Sequence, residues 1–217
     1  MRQCYATYCL NALFCFFSIL SFGQSPPNIL IIHTDDLGYH DLSIHGSKIY
    51  QTPHIDMLAR QSVSFTKAYS NYPRCVPSRF SMMTGNYPIQ NGSVPDDGFK
   101  ISNIAANKSF IKTFNKIGYQ TAYFGKWHLG DVGFHPEQSG FDVNIGGNRH
   151  GGPGGYFAPY PNPQLENEPK GEYLTDRIGD EVVNFIENNT ENNFFAYVPF
   201  FSVHTPIQSK PDYQKKY

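Results

Sequence analysis

The apolar positions of the chain fall into runs of two periods. Asn28-Ile29-Leu30-Ile31-Ile32, led in by the stiff pair Pro26-Pro27, is continuous and aliphatic, the pattern of a strand buried on both faces of a sheet. Tyr119 to Phe124 and Phe194 to Phe200 read as further strands, and Val63-Ser64-Phe65-Thr66 as a short one. Helical spacing appears at Ile55, Leu58 and Ala59, behind Thr52 as cap and Pro53 at the first position. It recurs at Phe110, Ile111, Phe114 and Ile117, stopped by Gly118, and at Ile178, Val182, Phe185 and Ile186, with Thr175 as the expected cap. A short helix is also predicted from Cys75, because Pro77 suits a first turn and Thr84-Gly85-Asn86 supplies a left-handed stop. Two polar stretches separate these elements. Asn91 to Asn103 reads as a surface loop. His135 to about Lys170, with Gly151-Gly152-Pro153-Gly154-Gly155 inside it, reads as an ordered insertion or a substrate-facing loop, with disorder of the glycine tract as the alternative.

Composition changes the picture in two places. The chain has 217 residues, which makes one domain the default, and its formal net charge of -1 offers no basic patch for nucleic acid. Anion recognition must then be local. The stretch from Met1 to about Gly23 has one charge, Arg2, and an apolar core from Cys9 to Phe22 ending in small residues. It reads as a secretory signal peptide, residues 1–23, with a membrane anchor as the second reading, and it implies export to a periplasmic or extracellular compartment. Cys4, Cys9 and Cys15 lie in that segment, so an exported mature chain keeps only Cys75. A lone cysteine in an oxidising compartment calls for an explanation.

The candidate chemistry sits at the ends of the predicted elements. Asp35 and Asp36 close the first strand, and two hard carboxylates there suit Ca²⁺ or Mg²⁺, provided the chain leaves the strand so that both serve one site; Gly38 permits that. Read alone, an Asp-Asp after a strand is more often a cap or turn. Cys75 stands at a helix N-terminus, where free N–H groups and the dipole favour an anion, and Arg79 adds a planar charged fork one turn on. Lys126 and His128 follow the strand at Tyr119 to Phe124 and point the same way if the chain stays extended. His204 follows the last strand, in Ser202-Val203-His204-Thr205-Pro206. Asp142, Arg149 and His150 are further candidates for lining a cleft.

Taken together, three of these strings carry a family resemblance. Cys75-Val76-Pro77-Ser78-Arg79, continuing to Thr84-Gly85, resembles the signature of the type I sulfatases, departing from it only in Met83 at a leucine position. Gly125-Lys126-Trp127-His128-Leu129-Gly130 resembles the second signature, and the Asp35-Asp36 pair resembles the family's calcium ligands. The resemblance runs from Asn28 to Pro206. It implies an α/β fold of the alkaline-phosphatase-like kind, with a large mixed β-sheet flanked by helices. It also implies that a maturase oxidises Cys75 to Cα-formylglycine, which would account for the unpaired thiol. Asp35, Asp36 and the modified Cys75 would hold Ca²⁺, Arg79 and Lys126 would hold sulfate oxygens, His128 would contact residue 75, and His204 would bind substrate.

By the same resemblance the chain reads as the N-terminal portion of a catalytic domain, residues 24–217, without the family's later Asp-Asn pair and second sulfate-binding lysine. The implied function is hydrolysis of sulfate esters, on sulfated carbohydrates. The alternatives are a phosphate ester hydrolase of the same superfamily and an inactive fragment that binds sulfated glycans. A thiol-based phosphatase fits poorly, because those enzymes space cysteine and arginine further apart.

Overall fold

The computed structural model describes residues 26–91, 109–166 and 169–216; the expected signal peptide and most of the Asn91 to Asn103 loop lie outside them. Four strands form one sheet: β1 (Ile29–His33), β2 (Gln120–Phe124), β3 (Val143–Ile145) and β4 (Phe194–Pro199). Their order is β1-β4-β2-β3, and every pairing is parallel, with Ile31 opposite Tyr197 and Ala122 opposite Ala196. The helices are α1 (Pro53–Arg60), α2 (Cys75–Thr84), α3 (Ile111–Lys116), α4 (Leu174–Glu187) and α5 (Pro211–Gln214); α2, α3 and α4 flank the sheet, while α1 and α5 bury no residue. This is the expected α/β architecture.

The two-residue period of the central strands divides the core into two layers. On one face Tyr123, Phe195 and Tyr197 pack with Val76, Phe80 and Met83 of α2 and Ile111 of α3. On the other, Ala122, Phe124, Phe194, Ala196 and Val198 pack with Leu174, Ile178 and Val182 of α4. All six residues of β4 are buried, which is why its sequence is unbroken by polar groups.

Three expectations need correcting. β1 is buried on one face only: Ile29 and Ile31 join the α2 layer, while Leu30 and Ile32 are 43% and 58% exposed. α4 packs on β2 and β4, and an edge strand beyond its reach keeps one open face. Val63 to Thr66 forms no strand; Val63 and Phe65 are both 81% exposed, and β-branched composition makes a strand only where a neighbour completes the ladder. Thr175 does not cap α4, whose N-cap is Tyr173; the Thr175 hydroxyl pairs instead with that of Ser202 at 2.6 Å.

Candidate active site

The site gathers where the parallel strands end, the place such sheets leave open for ligands. The end of β1 is zipped to the chain after β4: Phe200 N donates to His33 O (2.9 Å), Asp35 N to Ser202 O (2.9 Å) and Val203 N to Asp35 O (2.7 Å). The same segment anchors β2's exit, since Lys126 N donates to Pro199 O at 2.8 Å. Gly125, at φ 120°, makes this possible, because a Cβ there would strike the Pro199 carbonyl.

Asp35 is the centre of a buried charge cluster. Arg79 donates to its Oδ1 at 3.0 Å and Lys126 to its Oδ2 at 2.5 Å; Asp35, Arg79 and Lys126 are 5%, 3% and 0% exposed. Arg79 also donates to the Lys126 carbonyl at 2.8 Å, so helix α2 is tied to both strand ends. Burial alone would raise the Asp35 pKa, but the Arg79 charge and the Lys126 bond outweigh it and hold the carboxyl below its ordinary value. Two cations sharing one carboxylate leave a buried excess of one positive charge, and Arg79 Nε has no hydrogen-bond partner among the described residues. A polyoxyanion is the natural complement of that surplus.

Asp36 points elsewhere. Its φ of 59° turns the chain out of the strand at Asp36 itself, whereas Gly38 has an ordinary φ of -76°. The Asp36 carboxylate is 61% exposed and lies 3.9 Å from His204 Nε2. His204 Nδ1 is 2.7 Å from the Thr205 carbonyl and must donate to it, which leaves Nε2 as the free nitrogen. Ligand atoms of Asp35, Asp36 and His204 all lie within 4.8 Å of one another. The donor set fits a hard divalent cation through its two carboxylates, whose oxygens retain lone pairs beyond the bonds to Arg79 and Lys126.

Cys75, half-buried, opens helix α2, and its Sγ lies 3.4 Å from His128 Nδ1. Lys126 and His128 do converge, though not through strand alternation. β2 ends at Phe124, the turn at Gly125 sends Lys126 inward to Asp35, and His128 reaches Cys75 with φ 60°. Trp127 between them is fully buried and donates to the Phe134 carbonyl at 2.8 Å. Burial, with the Lys126 and Arg79 charges beside it, lowers the His128 pKa to about 4, so the ring is a neutral proton acceptor at physiological pH.

The structure thus brings Asp35, Asp36, Cys75, Arg79, Lys126, His128 and His204 to one corner. Asp142 is not part of it: its carboxylate accepts from Thr121 N at 2.9 Å and Asn115 Nδ2 at 3.0 Å. Arg149 and His150 are exposed, Arg149 pairing with Asp131 at 3.2 Å. A group given no role from sequence also faces the cluster. His33 Nδ1 is 2.7 Å from the Tyr197 hydroxyl, and burial followed by the Arg79 charge lowers its pKa to about 4. The signal for it was a polar ring closing the aliphatic run Ile-Leu-Ile-Ile-His.

Comparison with known proteins agrees with this geometry. The sulfatase family model matches residues 27–217. Human N-acetylgalactosamine-6-sulfatase is 31% identical over 87% of this chain and 42% of its own length. A sulfatase of Formosa agariphila is 30% identical over 90% of this chain and 48% of its own. The crystal structure of Ps i-CgsB in complex with k-i-k-neocarrahexaose superposes with a TM-score of 0.76 at 33% identity, covering 88% of this chain and 48% of that one. BT4656, solved with its substrate D-glucosamine-2-N,6-O-disulfate, gives a TM-score of 0.66 at 30% identity, covering 82% and 35%. The chain therefore spans about half, or less, of each relative's length.

Proposed function

For a chain that belongs to the sulfatase family, we propose hydrolysis of a sulfate ester carried on a carbohydrate, with residue 75 in its formylglycine form. The observation that carries the reading is the placing of Cys75 within 3.4 Å of His128, against a buried cluster with one surplus positive charge. The carbohydrate class rests on the relatives: an N-acetylgalactosamine-6-sulfatase, a structure bound to k-i-k-neocarrahexaose and one bound to its substrate D-glucosamine-2-N,6-O-disulfate. The apolar segment from Cys9 to Phe22 supports export, and a formylglycine-generating maturase is the implied partner.

The hydrated aldehyde at position 75 would supply a geminal diol, one hydroxyl to attack sulfur and a second whose deprotonation expels sulfate. Ca²⁺ held by Asp35, Asp36 and residue 75 would draw electron density from the sulfate oxygens. The chain's own groups do the rest. Arg79 and Lys126 keep Asp35 ionised and set a positive field where charge develops on sulfate. His128, neutral and aimed at residue 75, accepts the proton at Nδ1. His204 Nε2, free because Nδ1 is committed to Thr205, would take the proton released by the attacking hydroxyl and return it to the departing alkoxide, so that an alcohol leaves.

The test compares turnover of an aryl sulfate and an aryl phosphate by protein matured in cells that contain the maturase. Sulfate hydrolysis is expected, lost completely in Cys75→Ala, together with an aldehyde at position 75 that reacts with a hydrazide. Preference for the phosphate, or activity in Cys75→Ala, would overturn the reading.

A further inference from the structure

Gly151 and Gly152, from the glycine tract between β3 and α4, stand against the two histidines of the site. A Cβ on Gly151 would come within 2.3 Å of His128 Cε1, 2.6 Å of Nε2 and 2.7 Å of Nδ1. A Cβ on Gly152 would lie 3.4 to 3.5 Å from the His204 ring, which is ordinary contact. Gly151 does not have the positive φ that Gly146 and Gly154 have on either side of it, at 82° and 70°. Its backbone is one that any residue adopts. What excludes a side chain there is the imidazole of His128 and not the local turn.

The loop around Gly151 is held from both ends. His128 N donates to the Asn148 carbonyl at 3.0 Å, and His150 N donates to Asn148 Oδ1 at 2.7 Å. Asn148 itself is buried and donates to Asn162 Oδ1 at 2.6 Å, while Asn162 donates to the Gly146 carbonyl at 2.9 Å. The wall is thus stapled to the backbone of the residue whose ring it touches. If a methyl group is added at 151, the ring and not the wall gives way. Opening a 2.3 Å approach to an ordinary 3.4 Å needs a displacement of about 1.1 Å. Nδ1, one of the ring atoms that the methyl would meet, is also the atom that touches Cys75 Sγ, so the displacement falls on that contact.

We infer that Gly151 is a positioning residue: its bare Cα is the wall that holds the His128 imidazole with Nδ1 toward residue 75. The inference takes its catalytic meaning from the sulfatase reading, but the contact itself can be measured without turnover. A misplacement of about 1 Å lowers a catalysed rate by about a hundredfold without weakening substrate binding.

The experiment uses Gly151→Ala, Gly152→Ala and Gly171→Ala in the matured protein. Gly171 has φ 89° and nothing within 4 Å of a Cβ built there, so alanine strains the backbone without meeting either histidine and controls for general destabilisation. Two readouts are taken on each variant. The first is kcat and KM for an aryl sulfate. The second is the Cε1–H correlation of His128 in the NMR spectrum, assigned by its loss in His128→Gln. Gly151→Ala should lower kcat about a hundredfold with KM within about threefold, and should move the His128 signal alone. Gly152→Ala should have an effect below tenfold, and Gly171→Ala should lower Tm while leaving kcat and the signal in place. A Gly151→Ala that behaves like Gly171→Ala in kcat, or leaves the His128 signal unmoved, overturns the inference. An unaltered protein that hydrolyses no aryl sulfate instead overturns the sulfatase reading, and the His128 signal then decides the contact on its own.

Discussion

The site has a floor and a rim, built on opposite principles. In the floor each oxygen of Asp35 is matched to a cation, and Asp35, Arg79 and Lys126 are at most 5% exposed. In the rim Asp36 and His204 have side chains 61% and 26% exposed and stand 3.9 Å apart, with no closer charged partner among the described residues. Consecutive residues of one strand end, Asp35 and Asp36, therefore belong to different regimes. A desolvated carboxylate must be neutralised by the protein itself, so its geometry is set before any ligand arrives. An exposed one is neutralised by water and keeps its lone pairs for whatever binds. In the proposed reaction the floor would fix where the sulfate sits, and the rim would be left free to adapt to it.

The sharpest way to break that comparison is to remove the shared carboxylate. Asp35→Ala leaves two buried cations facing each other without a counter-charge, which costs about 3–5 kcal/mol. Asp36→Ala, at an exposed but left-handed position, should cost no more than about 1 kcal/mol, measured without added metal. Urea denaturation of both variants measures the difference. Equal midpoints would erase the distinction between floor and rim.

The floor was far more legible in the sequence than the rim. Asp35, Arg79 and Lys126 lie in contiguous strings with a strong resemblance, and β4, whose end anchors them, announces itself by an unbroken apolar run. What held the rim together was not local. The turn at Asp36 depends on a positive φ that no neighbouring glycine signals. The role of Gly151 depends on His128, which is 23 positions away in the chain. His33 was hidden for a different reason: its partner, Tyr197, comes from the paired strand, and a cross-strand contact is invisible until the register is known. The same limit explains β1, whose aliphatic run fits two buried faces although only one is covered.

A second test bears on the histidines that border the floor. His33 and His128 have native pKa values of about 4 against an ordinary 6.5, lowered first by burial and then by the neighbouring cations. In the unfolded chain both take up protons as pH falls through about 6.5, while the native rings stay neutral. Stability present above pH 6.5 is therefore lost between about 6.5 and 4, with a slope approaching one proton per ring. Asp35 is separate, because its lowered pKa postpones its loss to below the ordinary carboxylate range. Urea midpoints across this window should show the decline, and His33→Leu should cut the slope to about half. An unchanged slope in that variant would mean that His33 is not held neutral by the floor.

The smallest effect is the one that separates the two regimes most finely. Asp36 has φ 59°, a left-handed conformation that costs a residue with a Cβ about 1 kcal/mol relative to glycine, somewhat less for Asp than for most. Among the described residues nothing in the rim returns that energy in the protein alone, since the carboxylate is exposed and its nearest partner, His204 Nε2, is 3.9 Å away. Asp36→Gly should then raise stability by up to about 1 kcal/mol without calcium, in the direction opposite to any change at Asp35. If Asp36 holds the ion, the same variant loses the rise in Tm that calcium gives the parent, because only binding to the native state produces such a rise. Gain without metal and loss with it would show strain kept for the sake of a ligand. A variant that is less stable than the parent in the absence of calcium would place Asp36 with the floor after all.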